Sequence, residues 1–253
     1  MGNKWRKLKH NLLEARTHNH DTLATFGGAY SNHIYATAAA GQLFGFKTFG
    51  FIRGEEHSPL NPVLEFAASC KMKLFYIDRE HYREKNLPKM EKFVLETCGR
   101  CYILPEGGSN ALAVKGCEEI ISEIKIDFDM ICCAVGTGAT FAGLVRSLKP
   151  GQKALGFSAL KDGLFLKDEI LKWLDASQAP SSWELNVDYH FGGYAKSQPQ
   201  LYQFIQDFTA RTNIPLDPVY TGKMMFGIYD LMKRQVLKRG SRVVAVHTGG
   251  YIS

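Results

Sequence analysis

Two lysines, Lys4 and Lys7, stand three residues apart in "GNKWRKLKHNLLEA", where an apolar helical period begins directly behind Gly2 and Asn3. Residues one helical turn apart share a face, so both amines can address one ligand while Trp5, Leu8 and Leu12 turn toward a core. A basic residue at a helix N-terminus opposes the macrodipole, at a cost of about 0.3 kcal/mol or more. The same field disfavours the ammonium form and helps supply the neutral amine that imine formation with a carbonyl requires. A solvated basic face is the plain alternative for this pair.

Two glycine-bearing turns offer the groups an anion needs. In "AVGTGATFAG" an apolar run ends in Gly136, Thr137, Gly138, Ala139 and Thr140 before a helix. Small residues let backbone N–H groups approach an oxyanion, and the helix start adds partial positive charge, which together make a phosphate cradle. No G-K-[ST] follows, so it is not a P-loop, and no acidic residue stands at a ribose-binding position as a dinucleotide fold requires. A tight strand-to-helix turn without a ligand is the other reading. In "TFGGAYSNHIYATAAA" Ser31 and Asn32 fall at a helix N-cap and His33 in its first turn. Capping accounts for Ser31 and Asn32; the functional reading is that hydroxyl, carboxamide and backbone N–H groups there receive a carboxylate.

The elements that must position these groups alternate along the chain. Strand-like runs ("TLATF", "KTFGFI", "KLFYI", "CYILP", "MICCAVG", "KALGFSA", "RVVAVHTGG") are separated by longer helical patterns, which predicts an α/β protein with parallel sheets under covering helices. No repeat period recurs, and "PEGGSN" at Pro105 to Asn110 is the expected crossing between two doubly wound lobes, with ligands gathering where strand ends meet the turns "GGAYSNH", "VGTGATFAG", "HFGGY" and "HTGG".

Composition narrows the partners. The 253 residues are 45% hydrophobic and 22% charged, enough for a substantial core. The net charge of +6 is spread without a run of five like charges, so a nucleic-acid surface is not expected, whereas a small anionic ligand suits it. The N-terminus lacks an apolar signal region, and the longest uncharged stretch, Met130 to Val145, is too short and glycine-rich to span a bilayer; no membrane partner and a cytoplasmic location are expected. Six cysteines do not make a disulfide scaffold in a chain of this length, and no metal site is expected. The one C-x-x-C, Cys98 to Cys101, has no second pair and reads as chance spacing.

Taken together, "GNKWRKL", "GGAYSNH", "VGTGATFAG", "GGY", "DPVYTGKMM" and "HTGG", in this order over nearly the whole chain, resemble the pyridoxal-phosphate enzymes that include D-cysteine desulfhydrase and 1-aminocyclopropane-1-carboxylate deaminase. These belong to the tryptophan-synthase-β-like fold class. The resemblance implies two doubly wound parallel-sheet lobes with pyridoxal 5'-phosphate in the cleft between them. The larger, cofactor-binding lobe would comprise residues 1–19 plus 113–253, and the smaller residues 20–112. It implies that Lys4 carries the cofactor as an imine, that Lys7 contacts its phosphate, and that Gly136, Thr137, Gly138, Ala139 and Thr140 cradle that phosphate. Asn32 would bond the ring hydroxyl, Ser31 with Asn32 and His33 would hold the substrate carboxylate, Tyr194 and Tyr220 would line the reacting face, and Thr248 would meet the pyridine nitrogen. A homodimer acting on a small amino acid is implied as well.

Two positions separate the subfamilies. The deaminases resemble "YEGK" and "HLGG", whereas Thr221 follows Tyr220 here and Thr248 follows His247. A glutamate beside the ring would hold the pyridinium protonated and strengthen the electron sink that opening a cyclopropane demands. Threonine there favours β-elimination of the D-cysteine desulfhydrase kind, to pyruvate, ammonia and sulfide, with 1-aminocyclopropane-1-carboxylate deamination and a non-catalytic cofactor-binding role as alternatives. Family members also carry a segment ahead of "GNK", usually with an R-D-D stretch, that this sequence does not show. The expectation is a short or clipped member with a looser cleft or lower cofactor occupancy.

Overall fold

The computed structural model describes residues 2–174 and 182–250. Two compact units emerge, one of Asn3–Ala113 and one from Val114 on, with Gly2 grouped in the second. The first runs α1 (Asn3–Thr17), β1 (Thr22–Gly28), α2 (Asn32–Phe44), β2 (Lys47–Arg53), α3 (Pro62–Ser69), β3 (Lys73–Ile77), α4 (Arg79–Arg83), α5 (Pro88–Cys98), β4 (Tyr102–Leu104) and a 3-10 turn at Glu106–Gly108. Its four strands are all parallel in the order β3-β2-β1-β4.

A parallel sheet needs crossover helices, and these cover both faces, so the central strands β1 and β2 are buried along most of their length rather than alternating in exposure. Leu23, Ala24 and Phe51 are accordingly inaccessible. One face packs Phe26, Phe49 and Phe51 against Met90 and Val94 of α5. The other packs Leu23 and Leu104 against Leu8, Leu12 and Ala15 of α1 and Ala36 and Ala40 of α2. The expectation that residues 1–19 group with the later half of the chain differs from this packing, because the apolar stripe of α1 completes the first unit's core.

The second unit follows α6 (Ala111–Glu123), which carries the boundary, with β5 (Met130–Val135), α7 (Ala139–Arg146), β6 (Lys153–Ser158), a 3-10 turn at Gly163–Phe165, α8 (Leu166–Leu171), β7 (Trp183–Asn186), α9 (Pro199–Thr212), α10 (Thr221–Lys233) and β8 (Val243–Val246). The sheet is again parallel, in the order β7-β6-β5-β8. Side chains alternate along β5, so Cys133 joins Ile131, Val135, Phe141 and Leu144 on one face while Cys132 joins Leu155, Phe157, Met224 and Ile228 on the other. The two adjacent cysteines therefore belong to different cores.

Parallel strands all end at one edge, so each sheet gathers its glycine turns there. In the first unit β1 and β4 are neighbours and deliver Gly27–Gly28 and Gly107–Gly108 to the same edge. In the second, β5 lies between β6 and β8 and delivers Gly136–Gly138 beside Ala159 and His247–Gly250. No described helix is long and apolar enough to cross a membrane.

Close approach of α6 and α7 rests on Gly143, where an added Cβ would lie 2.6 Å from Cys117 Cβ and 2.7 Å from the Val114 carbonyl oxygen. Overpacking of this kind costs about 1–3 kcal/mol. Gly143→Leu is expected to lower the urea midpoint by a corresponding amount with an unchanged m-value, as read by circular dichroism.

Candidate active site

Within the first unit the site begins at α1. Lys4 lies in its first turn, half-buried, and Lys7 is 1% exposed. A buried ammonium must find acceptors, and Lys7 donates to the Gly107 carbonyl at 2.7 Å and to Ser109 Oγ at 2.9 Å. Gly107 and Gly108 take the left-handed conformation, at φ +65° and +66°, which turns that carbonyl toward the amine. Behind Lys7, Asn11 and Asn110 pair their carboxamides, with Asn110 Nδ2 donating to Asn11 Oδ1 at 2.6 Å and Asn11 Nδ2 returning a bond to Asn110 Oδ1 at 3.1 Å. Tyr102 Oη donates to Asn11 Oδ1 as well. The "PEGGSN" segment, expected as a crossing between lobes, is thus also the seat of Lys7.

Ser31 caps α2, its Oγ accepting from the backbone N–H of His33 at 3.2 Å and of Ile34 at 3.3 Å. Two N–H groups occupy the two lone pairs of a hydroxyl and leave its proton to be donated outward, so capping and anion binding are compatible at Ser31. Gly27 makes room for this: a Cβ there would meet Ser31 Oγ at 2.8 Å. Asn32 opens the helix, half-buried. His33 is 1% exposed and sits beneath the turn, its ring against Gly108 and its Nε2 2.8 Å from Thr25 Oγ1. Thr25 Oγ1 donates to the Leu104 carbonyl, so Nε2 carries the proton and Nδ1 presents a lone pair that has no hydrogen-bond partner. Burial, reinforced by the charges of Lys4 and Lys7, holds His33 well below its ordinary pKa and keeps the ring neutral.

Within the second unit, Gly138 at φ +83° is the N-cap of α7, and no side chain caps that helix. Adding a Cβ to Gly138 would place it 3.2 Å from Ile170 Cγ1, and one on Gly136 would sit 3.0 Å from the Tyr220 ring. An uncapped helix start lined by residues too small to obstruct it fits a phosphate. Ala139 and Thr140 form its buried first turn, and Thr137 precedes it, exposed. Tyr194 and Tyr220 stand edge to face, with centroids 6.2 Å apart. Thr248 lies at the end of β8, where its carbonyl closes on Gly2; a Cβ on Gly2 would be 2.0 Å from that oxygen, which accounts for the glycine of "GNK".

Thr221 has a different duty from the one its motif suggests. It is inaccessible, and its hydroxyl donates to Asp217 Oδ2 at 2.6 Å while accepting from the Asp217 N–H at 2.9 Å. Asp217 also accepts from the N–H groups of Val219, Tyr220 and Thr221, so one buried carboxylate fixes the backbone that carries Tyr220. Asp217, Asn11, Asn110, Thr25 and Ser109 were all outside the sequence expectation. Only "DPVY" carried a signal, an Asx turn ahead of a helix.

A family model described as "Pyridoxal-phosphate dependent enzyme" matches residues 1–249. The chain belongs to this family. An Arabidopsis thaliana protein named bifunctional D-cysteine desulfhydrase/1-aminocyclopropane-1-carboxylate deaminase, mitochondrial, is 31% identical over 280 residues, covering 99% of this chain and 69% of that one. The D-cysteine desulfhydrase of Yersinia enterocolitica is 26% identical over 270 residues, covering 98% and 82%. The crystal structure of a 1-aminocyclopropane-1-carboxylate deaminase homologue superposes with a TM-score of 0.82 at 27% identity, covering 98% of this chain and 80% of that one. The protein is therefore a pyridoxal-phosphate dependent enzyme of the expected α/β fold.

Burial pushes the Cys98 thiol up to about 12, with Cys101 adding to the shift, and burial raises Cys101 too. Among the described residues no cluster of three His, Cys, Asp or Glu side chains could hold a metal. Ellman's reagent is expected to label this pair at pH 7 at least about a hundredfold more slowly than a free thiol, since thiolate is the reactive form. Gly138→Val, which obstructs the uncapped helix start, is expected to weaken pyridoxal-phosphate binding by about tenfold or more with unchanged far-ultraviolet circular dichroism, measured by fluorescence titration.

Proposed function

We propose that this enzyme carries out an α,β-elimination on a small amino acid, converting D-cysteine and water to pyruvate, ammonia and sulfide. The observation that supports this most directly is the tyrosine pair: Tyr220 packs on Gly136 of the helix-start turn, and Tyr194 meets its ring. A phenol beside an anion-binding turn is suited to receive a departing β-substituent. When bound, pyridoxal phosphate supplies an electron sink for negative charge developing at the substrate Cα.

The chain's own groups divide the remaining work. Lys4 would hold the cofactor through its aldehyde carbon and, once displaced by the substrate amine, would accept the α-proton as a neutral amine. The helix-start turn Gly136–Thr140 would hold the phosphate, Thr248 the pyridine nitrogen and Asn32 the ring hydroxyl. Ser31 donates its remaining proton to the substrate carboxylate, assisted by the N-terminal end of α2. Neutral His33 stays beneath these groups, and Lys7, fixed by Gly107 and Ser109, adds positive charge where anions bind. Tyr220 hydrogen-bonds or protonates the leaving sulfur, and Tyr194 orients it.

A second reading, deamination of 1-aminocyclopropane-1-carboxylate, is favoured by the likeness to the deaminase homologue. Against it stands Thr221, which occupies the place of the glutamate in the "YEGK" pattern, so no carboxylate from that position strengthens the electron sink. Pyruvate release from both substrates, measured side by side at full cofactor occupancy, decides between them. The expected outcome is a kcat/KM for D-cysteine at least about tenfold higher, and the reverse order replaces the first reading with the second. Borohydride reduction and peptide mapping should place the pyridoxyl group on Lys4, and Lys4→Ala should abolish turnover.

A further inference from the structure

Lys223, in the first turn of α10, is 1% exposed, and no step above uses it. Its Nζ donates to the carbonyls of His190 and Gly193, both at 2.8 Å, and approaches that of Ala159 at 3.4 Å. Three acceptors around one nitrogen match the three protons of an ammonium; a neutral amine would turn a lone pair on one of them. Burial draws the amine down to about 8, while Asp217 opposes the shift, so it is charged at neutral pH.

Two of those carbonyls come from a segment whose side chains are held by Phe191 packing edge to face on Phe226, with centroids 5.0 Å apart, and by Tyr194 on Tyr220, while its backbone makes few bonds of its own. Phe191, Gly192, Gly193 and Ala195 all have positive φ, at 50°, 96°, 113° and 53°. Two of these are L-residues in a conformation such residues avoid, which persists only when the surroundings enforce it. The turn's own bonds are Gly192 N–H to His190 Nδ1, Gly193 N–H to the His190 carbonyl, and Lys196 N–H to the Gly193 carbonyl. Ala159 is anchored separately, its N–H bonded to the Val135 carbonyl at the end of β5. Tyr194 follows Gly193 directly, and its ring partner Tyr220 stands one turn before Lys223 at the start of α10.

We propose that the Lys223 ammonium is a built-in cation, seated where a free monovalent ion would bind carbonyls, which shapes the turn Phe191–Ala195 and thereby positions Tyr194 against Tyr220. Lys223 is thus a positioning residue acting through main-chain carbonyls. The catalytic consequence rests on the proposed function; the effect on the turn does not.

Hydrogen exchange of the peptide spanning residues 189–197 tests this without substrate. Lys223→Met, which keeps the volume and removes the charge, is expected to lower protection of the Gly192, Gly193 and Lys196 amides by about tenfold or more, whereas the exposed control Lys196→Met leaves those of Gly192 and Gly193 unchanged. In Lys223→Ala, propylammonium replaces the missing stem and charge and is expected to restore protection where n-propanol does not. Wild-type protection in Lys223→Met, or equal rescue by the alcohol, overturns the proposal. With D-cysteine, Lys223→Met should lose kcat by about tenfold with little change in KM, and propylammonium should restore kcat in Lys223→Ala; a KM effect alone overturns the positioning of Tyr194. A protein inactive on D-cysteine leaves the exchange result standing. Should the variants fail to fold, nitrogen-15 spectra of lysine-labelled wild type carry the test: a slowly exchanging ammonium signal at neutral pH supports the assignment, and its absence overturns it.

Discussion

A positive charge taken out of water has to be given hydrogen-bond acceptors, and much of the architecture at both sheet edges answers that demand. Lys7 in the first unit and Lys223 in the second are each 1% exposed. Backbone carbonyls from left-handed or glycine-rich turns receive both. A carbonyl cannot ionise or rotate away, so an amine seated on carbonyls fixes the turn as much as the turn fixes the amine. The carboxylate of Asp217 is the mirror case, an anion seated on three backbone N–H groups and one hydroxyl. Removing one partner from such a set leaves a buried charge uncompensated, which costs far more than the pair contributes when intact.

The parallel sheets are what bring these turns together. Within each unit every strand ends at the same edge, so chain segments distant in sequence arrive side by side. Gly107 lies one hundred residues from Lys7 yet supplies its acceptor. Neutral His33, held between Thr25 and Gly108, fills the space beneath this edge without adding a competing charge.

Seven of the strands and the helices around the glycine turns were legible in the sequence, because fully buried parallel strands are short apolar runs with clear punctuation. Trp183–Asn186 was missed: four residues ending in a polar "ELN" give an edge strand no apolar run to advertise it. The short helix Arg79–Arg83 was missed for a related reason, since "DREHYR" buries only Tyr82 and is recognisable mainly by its Asp78 cap. Residues with a motif of their own, such as Ser31 and Gly138, could be found by spacing. Asn11, Ser109 and Lys223 could not, as their meaning lies in partners from other turns, and a lysine in "TGKMM" looks like any other on a helix. The motif marks Thr221 by its position but not its duty, because its partner Asp217 lies four residues upstream.

That reciprocal bond between Thr221 and Asp217 constrains how this protein can diverge. A glutamate at position 221, as in the "YEGK" pattern, would bring a second buried carboxylate against Asp217 and remove the hydroxyl that Asp217 both donates to and accepts from. The intermediate bearing that single change would carry two repelling anions at the root of Tyr220. The effect of replacing Thr221 therefore depends on what stands at position 217, and the two positions act as a coupled pair rather than as independent sites.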